Sequence, residues 1–464
     1  MVINYNDAMN QHNSRKALAL RFFVYGLMTL AVVVGVVLSL GWAMGFRFNV
    51  MNGQISQVAL MQFDSYPQGA NITVNGAVIG SQTATHLNVD TGRKKVVIGR
   101  DGYRNWSTSV NAAPSDVVWL NYARLVPNKV KTVTAKNFAN FANAQMLASP
   151  DKNYVALQFA GENDFTLVNI SNSSSPQFAN LKIDAGTLTA LAAGQTEKFA
   201  MIEWDPGSRY LLIRHDIANS DGSPALSEVV EVDTQGNSFN NSNSRNLTKD
   251  FNVALSDPHF SGNSGNIFFA LTGTDVRKID YSNNSLSAPL VSDVTRYRIY
   301  GGSDNMFAFT TRATDVAGNV VQTAGLYNDG KIITVRTFND TQPTDAIFGS
   351  DQGTDYFAIL RHEANGQSQI AIYPTLITHA NNIAKIKPVV IALPFVSDDF
   401  ENSPSGRFIV ATNGVNVFLY DTETLAKYKF KLRTPAADSI WLADYHLIDS
   451  TAGGTNVDMI DLTG

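Results

Sequence analysis

The chain has 464 residues, no cysteine, 16% charged residues and a formal net charge of −5, which excludes a disulfide framework, a thiolate metal site and a cysteine nucleophile. Such a length suits two or three domains, and few charges among abundant Asn, Ser, Thr and Gly suit a β-rich protein with polar turns rather than a helical enzyme. Residues 1–62 carry +3 and residues 63–136 carry +5, leaving −13 for residues 137–464, and so acidic a bulk argues against nucleic acid as a partner.

The first predicted element is a transmembrane helix. Residues 22–46 contain no charged side chain, and at a 1.5 Å rise such a helix crosses a hydrocarbon core of about 30 Å. Arg15, Lys16 and Arg21 precede it, while only Arg47 follows closely. The positive-inside rule therefore expects residues 1–21 as a cytoplasmic tail and the bulk of the chain on the far side of the cell membrane. Trp42 stands near the outer end, where an indole suits the headgroup region. A cleaved signal peptide fits less well, because its apolar run is usually about 7–15 residues and no small-x-small site follows in Gly41-Trp42-Ala43-Met44-Gly45. The expectation is one uncleaved anchor, followed by a juxtamembrane linker over residues 47–62.

From residue 63 the pattern turns to short alternating strands. Asn75-Gly76, between Ile72-Thr73-Val74 and Ala77-Val78-Ile79, predicts a two-residue hairpin, since both residues tolerate positive φ. With Pro67-Gln68-Gly69-Ala70, Val74-Asn75-Gly76 and Asp101-Gly102-Tyr103, residues 63–127 resemble the PEGA domain, a small β-sandwich of exported prokaryotic proteins, with Gln68 in place of the motif's Glu. The resemblance implies an envelope-facing spacer or adhesion module and carries over no catalytic residue. Arg93, Lys94, Lys95, Arg100 and Arg104 are candidates for contact with anionic lipid or acidic wall polymer. Tyr103, Trp106 and Trp119 are candidate sugar-stacking aromatics. The competing expectation is that these rings fill the core of a domain too small to spare them.

Residues 128–464 show a recurring strand–turn–strand unit in place of helical periodicity. Its seven copies are LASPDKNYVALQF, EWDPGSRYLLIRH, HFSGNSGNIFFAL, YGGSDNMFAFTT, FGSDQGTDYFAIL, ENSPSGRFIVAT and WLADYHLIDST. Repeats spaced about 40 to 56 residues apart, with four short strands each, predict β-propeller blades, here seven. A second recurring strand ends in Asp or Asn before Ser or Thr, as in FTLVNIS, EVVEVDT, VRKIDYS and VFLYDTE. Ser149-Pro150-Asp151, Asp205-Pro206-Gly207-Ser208 and Ser403-Pro404-Ser405-Gly406 resemble the turn of TolB-like propeller repeats, and that resemblance places the turn between the two middle strands of a blade. A strand over Lys129–Ala135 is expected to close the ring against Val457–Leu462, which would remove the exposed sheet edges.

Catalytic signatures are missing. There is no Gly-x-Ser-x-Gly elbow, Walker A loop, Gly-x-Gly-x-x-Gly or His-Glu-x-x-His, and the seven histidines lack metal-ligand spacing. Three oxygen-rich loops, Asn219–Gly222, Asp315–Asn319 and Asp398–Asn402, could hold structural calcium, but such loops more often serve as turns. The expected protein is all-β behind its anchor, without cofactor and not an enzyme. It presents a propeller to envelope proteins or cell-wall glycan. A glycan-processing enzyme working in the propeller cleft and a surface-layer component are the alternatives. A His/Tyr/Arg or acidic group inside the channel would favour the enzyme, and a Val/Ile/Thr lining would count against it.

Overall fold

The computed structural model describes residues 6–43, 46–49, 54–129, 134–138, 144–159, 164–184, 186–235, 244–262, 265–301, 303, 305–351, 353–364, 366–432, 440–443, 446–450 and 457–461. The chain divides into two compact units, Met1–Thr132 with Asp461–Gly464, and Val133–Ile460.

The first unit opens with a helix, α1 (Asn6–Ala43). Within it Leu18–Trp42, at mean hydropathy 2.4, is long and apolar enough to cross a membrane. Its large side chains, Phe22, Leu30 and Val37 among them, are exposed all round. The helix differs from the expected span at both ends. It begins well before Phe22, because Lys16-Ala17-Leu18-Ala19-Leu20 are strong helix formers, and Phe46 already belongs to a strand.

That strand corrects the reading of residues 47–62 as a linker. β1 (Phe46–Asn49) pairs antiparallel with β2 (Gln54–Tyr66), Phe46 opposite Gln57. The reason is period-two burial along β2, where Ala59, Met61, Phe63 and Ser65 point inward while Leu60, Gln62 and Asp64 are less buried. There follow β3 (Asn71–Val74), β4 (Ala77–Gln82), β5 (Thr85–Asp90), β6 (Gly92–Gly99), β7 (Trp106–Ala112) and β8 (Val117–Arg124). One sheet runs β1–β2–β5 with β8 added parallel to β2, and the other runs β4–β3–β6–β7. Met61, Phe63, Ile72, Val96, Ile98, Trp106 and Leu120 form their shared core.

Asn75 (φ 49°) and Gly76 (φ 85°) make the predicted tight turn, with Val74 opposite Ala77. The Gly69-Ala70 pair is locked onto Thr83: Gly69 N donates to Thr83 O (2.8 Å), and Thr83 N donates to Ala70 O (3.0 Å). Ala70 is fully buried there, while Gln68 is exposed, with Nε2 3.2 Å from Asp64 Oδ1. Loss of the motif's Glu therefore leaves this core untouched.

The second unit is a β-propeller of seven sheets in chain order. Six are four-stranded antiparallel meanders (residues 145–181, 196–246, 256–286, 294–338, 344–392 and 399–431), and the seventh (440–461) has three described strands. Val457–Asp461 is a strand of the seventh sheet, but residues 130–133 of the expected closing strand Lys129–Ala135 lie outside those described. The Ser-Pro-Asp-type turns join the first strand of each blade to its second, rather than the two middle strands. Their fourth residues, Lys152, Ser208 and Gly406, are all left-handed (φ 62°, 61° and 79°). The leading residue caps the turn: Ser149 Oγ accepts from Tyr154 N (2.9 Å), Asp205 Oδ1 from Tyr210 N (2.6 Å) and Ser403 Oγ from Phe408 N (3.1 Å).

The Asp-Thr strand endings are the third strands, and they clamp these turns. Arg209 donates through Nε and Nη2 to Asp233, and Arg407 does the same to Asp421. Thr234 and Thr422 return their hydroxyls to the carbonyls of the same two arginines (2.8 and 2.7 Å). The two recurring sequence elements are thus contact partners.

Candidate functional site

In the first unit the structure separates residues that the sequence had grouped. Alternation along β6 points Arg93 and Lys95 outward, while Lys94 shares the inward face with Val96 and Ile98. Arg100 and Arg104 lie beyond the far end of this strand, about 20 Å away at 3.3 Å per residue. Arg100 is occupied locally, since Nη1 donates to Gln68 O (2.7 Å) and its guanidinium sits 5.8 Å from the Tyr103 ring centroid. The five basic side chains form no common patch.

The aromatic trio also divides. Trp106 is 7% exposed and meets Tyr122 edge-on at 5.9 Å, so it is a core residue and not a stacking platform. Tyr103 is half-buried against the same core. Only Trp119, on the outer face of β8, is open, at 48% exposure.

In the propeller the first strands of the blades are tied side by side by polar side chains. Gln145 of blade 1 exchanges hydrogen bonds with the Met201 backbone of blade 2 (2.9 and 3.1 Å). Glu203 of blade 2 accepts from His259 Nδ1 of blade 3 (2.9 Å) and from Phe260 N. Tyr297 of blade 4 donates to Asp257 O of blade 3. Asp345 of blade 5 accepts from Arg296 (2.6 Å) and Arg298 (3.0 Å) of blade 4, and Arg298 also reaches Asp399 of blade 6 (3.1 Å). Asn402 of blade 6 donates to Phe348 O of blade 5 (2.8 Å). One side chain that spans three blades requires their first strands to converge, which makes these strands the channel wall.

Two clefts lie at opposite ends of the first strands of blades 4–6. The one at the turn end encloses about 510 Å³ and is lined by Arg298, Tyr300, Ser350, Glu401, Asn402 and Ser405. The other, about 340 Å³, is lined by Arg296, Arg312, Gln322, Asp345 and His362 among others. The Arg296–Asp345–Arg298–Asp399 group stands between them. Among the described residues Arg298 Nε, at the first cleft, is buried without a hydrogen-bond partner.

The charged wall is electrostatically committed. Burial opposes protonation of His259, but hydrogen bonds to Asp257 and Glu203 outweigh it and raise its pKa to about 10. The His259 hydrogen bond in turn holds the Asp257 carboxyl below its ordinary range. Burial pushes the Tyr297 hydroxyl well above its usual value. At neutral pH His259 is therefore a cation between two carboxylates and has no free lone pair for base catalysis.

Elsewhere His215, fully buried in blade 2, has Nδ1 3.0 Å from Glu228 and Nε2 3.0 Å from Glu197, stacked on Phe199. Sequence spacing could not reveal either histidine group, since Glu203, Glu197 and Glu228 come from other strands and only Asp257 shares its histidine's strand. The oxygen-rich loops are turns: Asp221 Oδ1 accepts from Ser223 N and Oγ, and Asp315 Oδ1 from Ala317 N and Asn319 N. In the third loop, Asp399 faces Arg298. Among the described residues no group of three or more His, Asp or Glu is placed to hold a metal ion.

Residues 60–127 match the PEGA domain family. No curated protein matches the chain in sequence. Solved structures similar to it include hydrazine synthase of Kuenenia stuttgartiensis (10% identity, 72% of this chain and 99% of that one, TM-score 0.39). Others are the β-propeller domain of Myceliophteria thermophila Cps50 (Swd1) (10%, 72% and 100%, 0.38) and the WD40 domain of SCAP from fission yeast (11%, 80% and 93%, 0.37). The propeller assignment rests on the strand order and the tied first strands described above.

Proposed function

We propose that the chain is a single-pass, membrane-anchored cell-envelope protein that carries its PEGA module and propeller on the outer side and offers the propeller channel as a binding platform for protein or glycan. Convergence of three blades on the turn-end cleft carries this reading. A site of about 510 Å³ falls within the usual range for ligand pockets, and its wall is pre-organised by ion pairs. Arg15, Lys16 and Arg21, within α1 at the N-terminal end of its apolar stretch, support the orientation. Arg93 and Lys95, outward on β6, suit an anionic lipid or wall polymer, at a strength that salt would screen.

A specific observation favours a second reading. Among the described residues the channel wall carries a His/Tyr/Arg/Asp group, as a glycan-processing enzyme would need. His259 and Arg298 are, however, held in ion pairs at neutral pH, and such pairs serve binding and rigidity more readily than proton transfer.

The test is capture from intact envelopes with residues 47–464 as bait, alongside a Ser405→Trp variant that fills the cleft from its rim and breaks none of the blade ties. Bound material should be recovered with the unmodified protein and lost with S405W. Equal recovery by both would refute the channel as the site, and cleavage of a recovered glycan over time would favour the enzyme.

A further inference from the structure

The β8–β2–β5 sheet has an outward face unlike the rest of its module. Register places Trp119 opposite Gln62 and Gln62 opposite His86, and Val117 opposite Leu60 and Leu60 opposite Asn88. The six side chains form two adjacent rows on one face, each row about 10 Å across three strands and the rows about 7 Å apart. Trp119, Val117, His86 and Asn88 are exposed, and Leu60 and Gln62 are half-buried between them. None of the six is a carboxylate, an ammonium or a guanidinium, whereas the outward face of β6 in the other sheet carries Arg93 and Lys95.

We propose that this face is a binding site for an uncharged polysaccharide, with the Trp119 indole stacked on one pyranose ring and Gln62 and Asn88 bonding hydroxyls of that ring or the next. The chemistry selects the occupant. A flat indole matches the C–H face of a pyranose, and its exposure in water is unfavourable until something covers it. A side-chain amide offers both donor and acceptor, which suits hydroxyls that do both. An acidic polymer or lipid headgroup would find its counter-charge at Arg93 and Lys95 and none among these six residues. This site is separate from the propeller channel and stands or falls independently of it.

The experiment uses the full chain in uncharged phosphatidylcholine nanodiscs, measuring retention on insoluble chitin and cellulose, with polygalacturonate as the acidic comparison. The unmodified protein should be retained on a neutral polymer. Retention should persist from about 0.1 to about 1 M salt, since no screened charge is involved. Trp119→Ala should weaken it about tenfold, roughly 1.4 kcal/mol, whereas Trp119→Tyr, which keeps an aromatic face, should retain most of it. Gln62→Ala should weaken binding several-fold, which guards against W119A acting through misfolding. S405W should leave retention unchanged, so that failure here is distinguishable from failure of the channel reading. Absence of retention on both neutral polymers, retention released by salt, undiminished retention by W119A, or a preference for polygalacturonate would each overturn the proposal. So would a bound envelope protein that competes for Trp119 in place of glycan.

Discussion

The two arginine clamps of blades 2 and 6 make the same bonds to Asp and through Thr in different surroundings; they differ in burial and in one further ion pair, from Arg407 to the half-exposed Glu423. The Arg407 side chain is 6% exposed and Asp421 1%, whereas Arg209 is 50% exposed and Asp233 7%. Removing one partner of a buried ion pair strands the other charge and costs about 3–5 kcal/mol. Arg407→Ala belongs at the low end, about 3 kcal/mol, because Asp421 Oδ1 still accepts from Glu423 N (2.9 Å) and Thr424 N (3.2 Å). Arg209→Ala removes a half-exposed partner and should cost under about 1 kcal/mol. With an unfolding entropy of about 2.1 cal/mol/K per residue, the propeller unit should lose about 4 °C in melting temperature for R407A and about 1 °C for R209A.

The same clamp has a pH signature. Burial raises the Asp421 pKa, but the Arg407 hydrogen bond and charge outweigh it and leave the carboxyl below its ordinary value of 3.8. A depressed carboxyl stabilises above its unfolded pKa and loses that contribution as pH falls through the folded one. The gap between wild type and R407A should therefore be full at neutral pH and narrow below about pH 4. Calorimetric scans of residues 47–464 across pH measure both effects. Equal losses for R407A and R209A, or a gap independent of pH, would refute the argument from burial.

Three further outcomes are expected. His259, whose pKa hydrogen bonds to Asp257 and Glu203 raise to about 10 from 6.5 against burial, stabilises fully below pH 6.5 and loses this contribution as pH rises through about 10; His259→Gln should thus cost most at about pH 6.5, less with each step towards alkaline pH and least above about 10, read from denaturation midpoints. Gly76→Val forces a β-branched residue to φ 85° where no neighbour lies within 4 Å, so strain alone should destabilise the PEGA module by about 1–3 kcal/mol, and an unchanged midpoint would remove the hairpin's requirement for glycine. Gly406→Ala adds a Cβ 2.5 Å from Ser350 O at a left-handed φ, whereas Gly222→Ala meets strain only; the first should cost clearly more than the second, which differs by strain of about 1 kcal/mol, and equal melting temperatures would show that blade 5 gives way.

Much of the architecture was legible because its signals are local. An uncharged run long enough to cross a membrane, an Asn-Gly pair between alternating strands and seven recurring turns all depend on neighbours in sequence, and local sterics and hydrophobicity determine what such stretches do. The misplacements have physical reasons too. Residues 47–62 looked like a spacer because a strand's alternation is weak until its partners are known, and β2 acquires its burial from β5 and β8. The repeating turn was assigned to the wrong pair of strands because a repeat shows its period but not its starting phase.

The binding surfaces were not legible, since they join residues far apart in the chain. Trp106 and Trp119 are chemically identical and 13 positions apart, yet one closes a core and the other faces water, a choice made by the pairing of β7 with β6 and of β8 with β2. Arg298, Asp345 and Asp399 form one charged partition only because the first strands of three blades converge. The sequence by itself determined which segments become helix, hairpin and blade, because those choices rest on short-range geometry. Only the tertiary structure decided which side chains share a cleft, because long-range proximity and the burial it brings exist only once the sheets have packed.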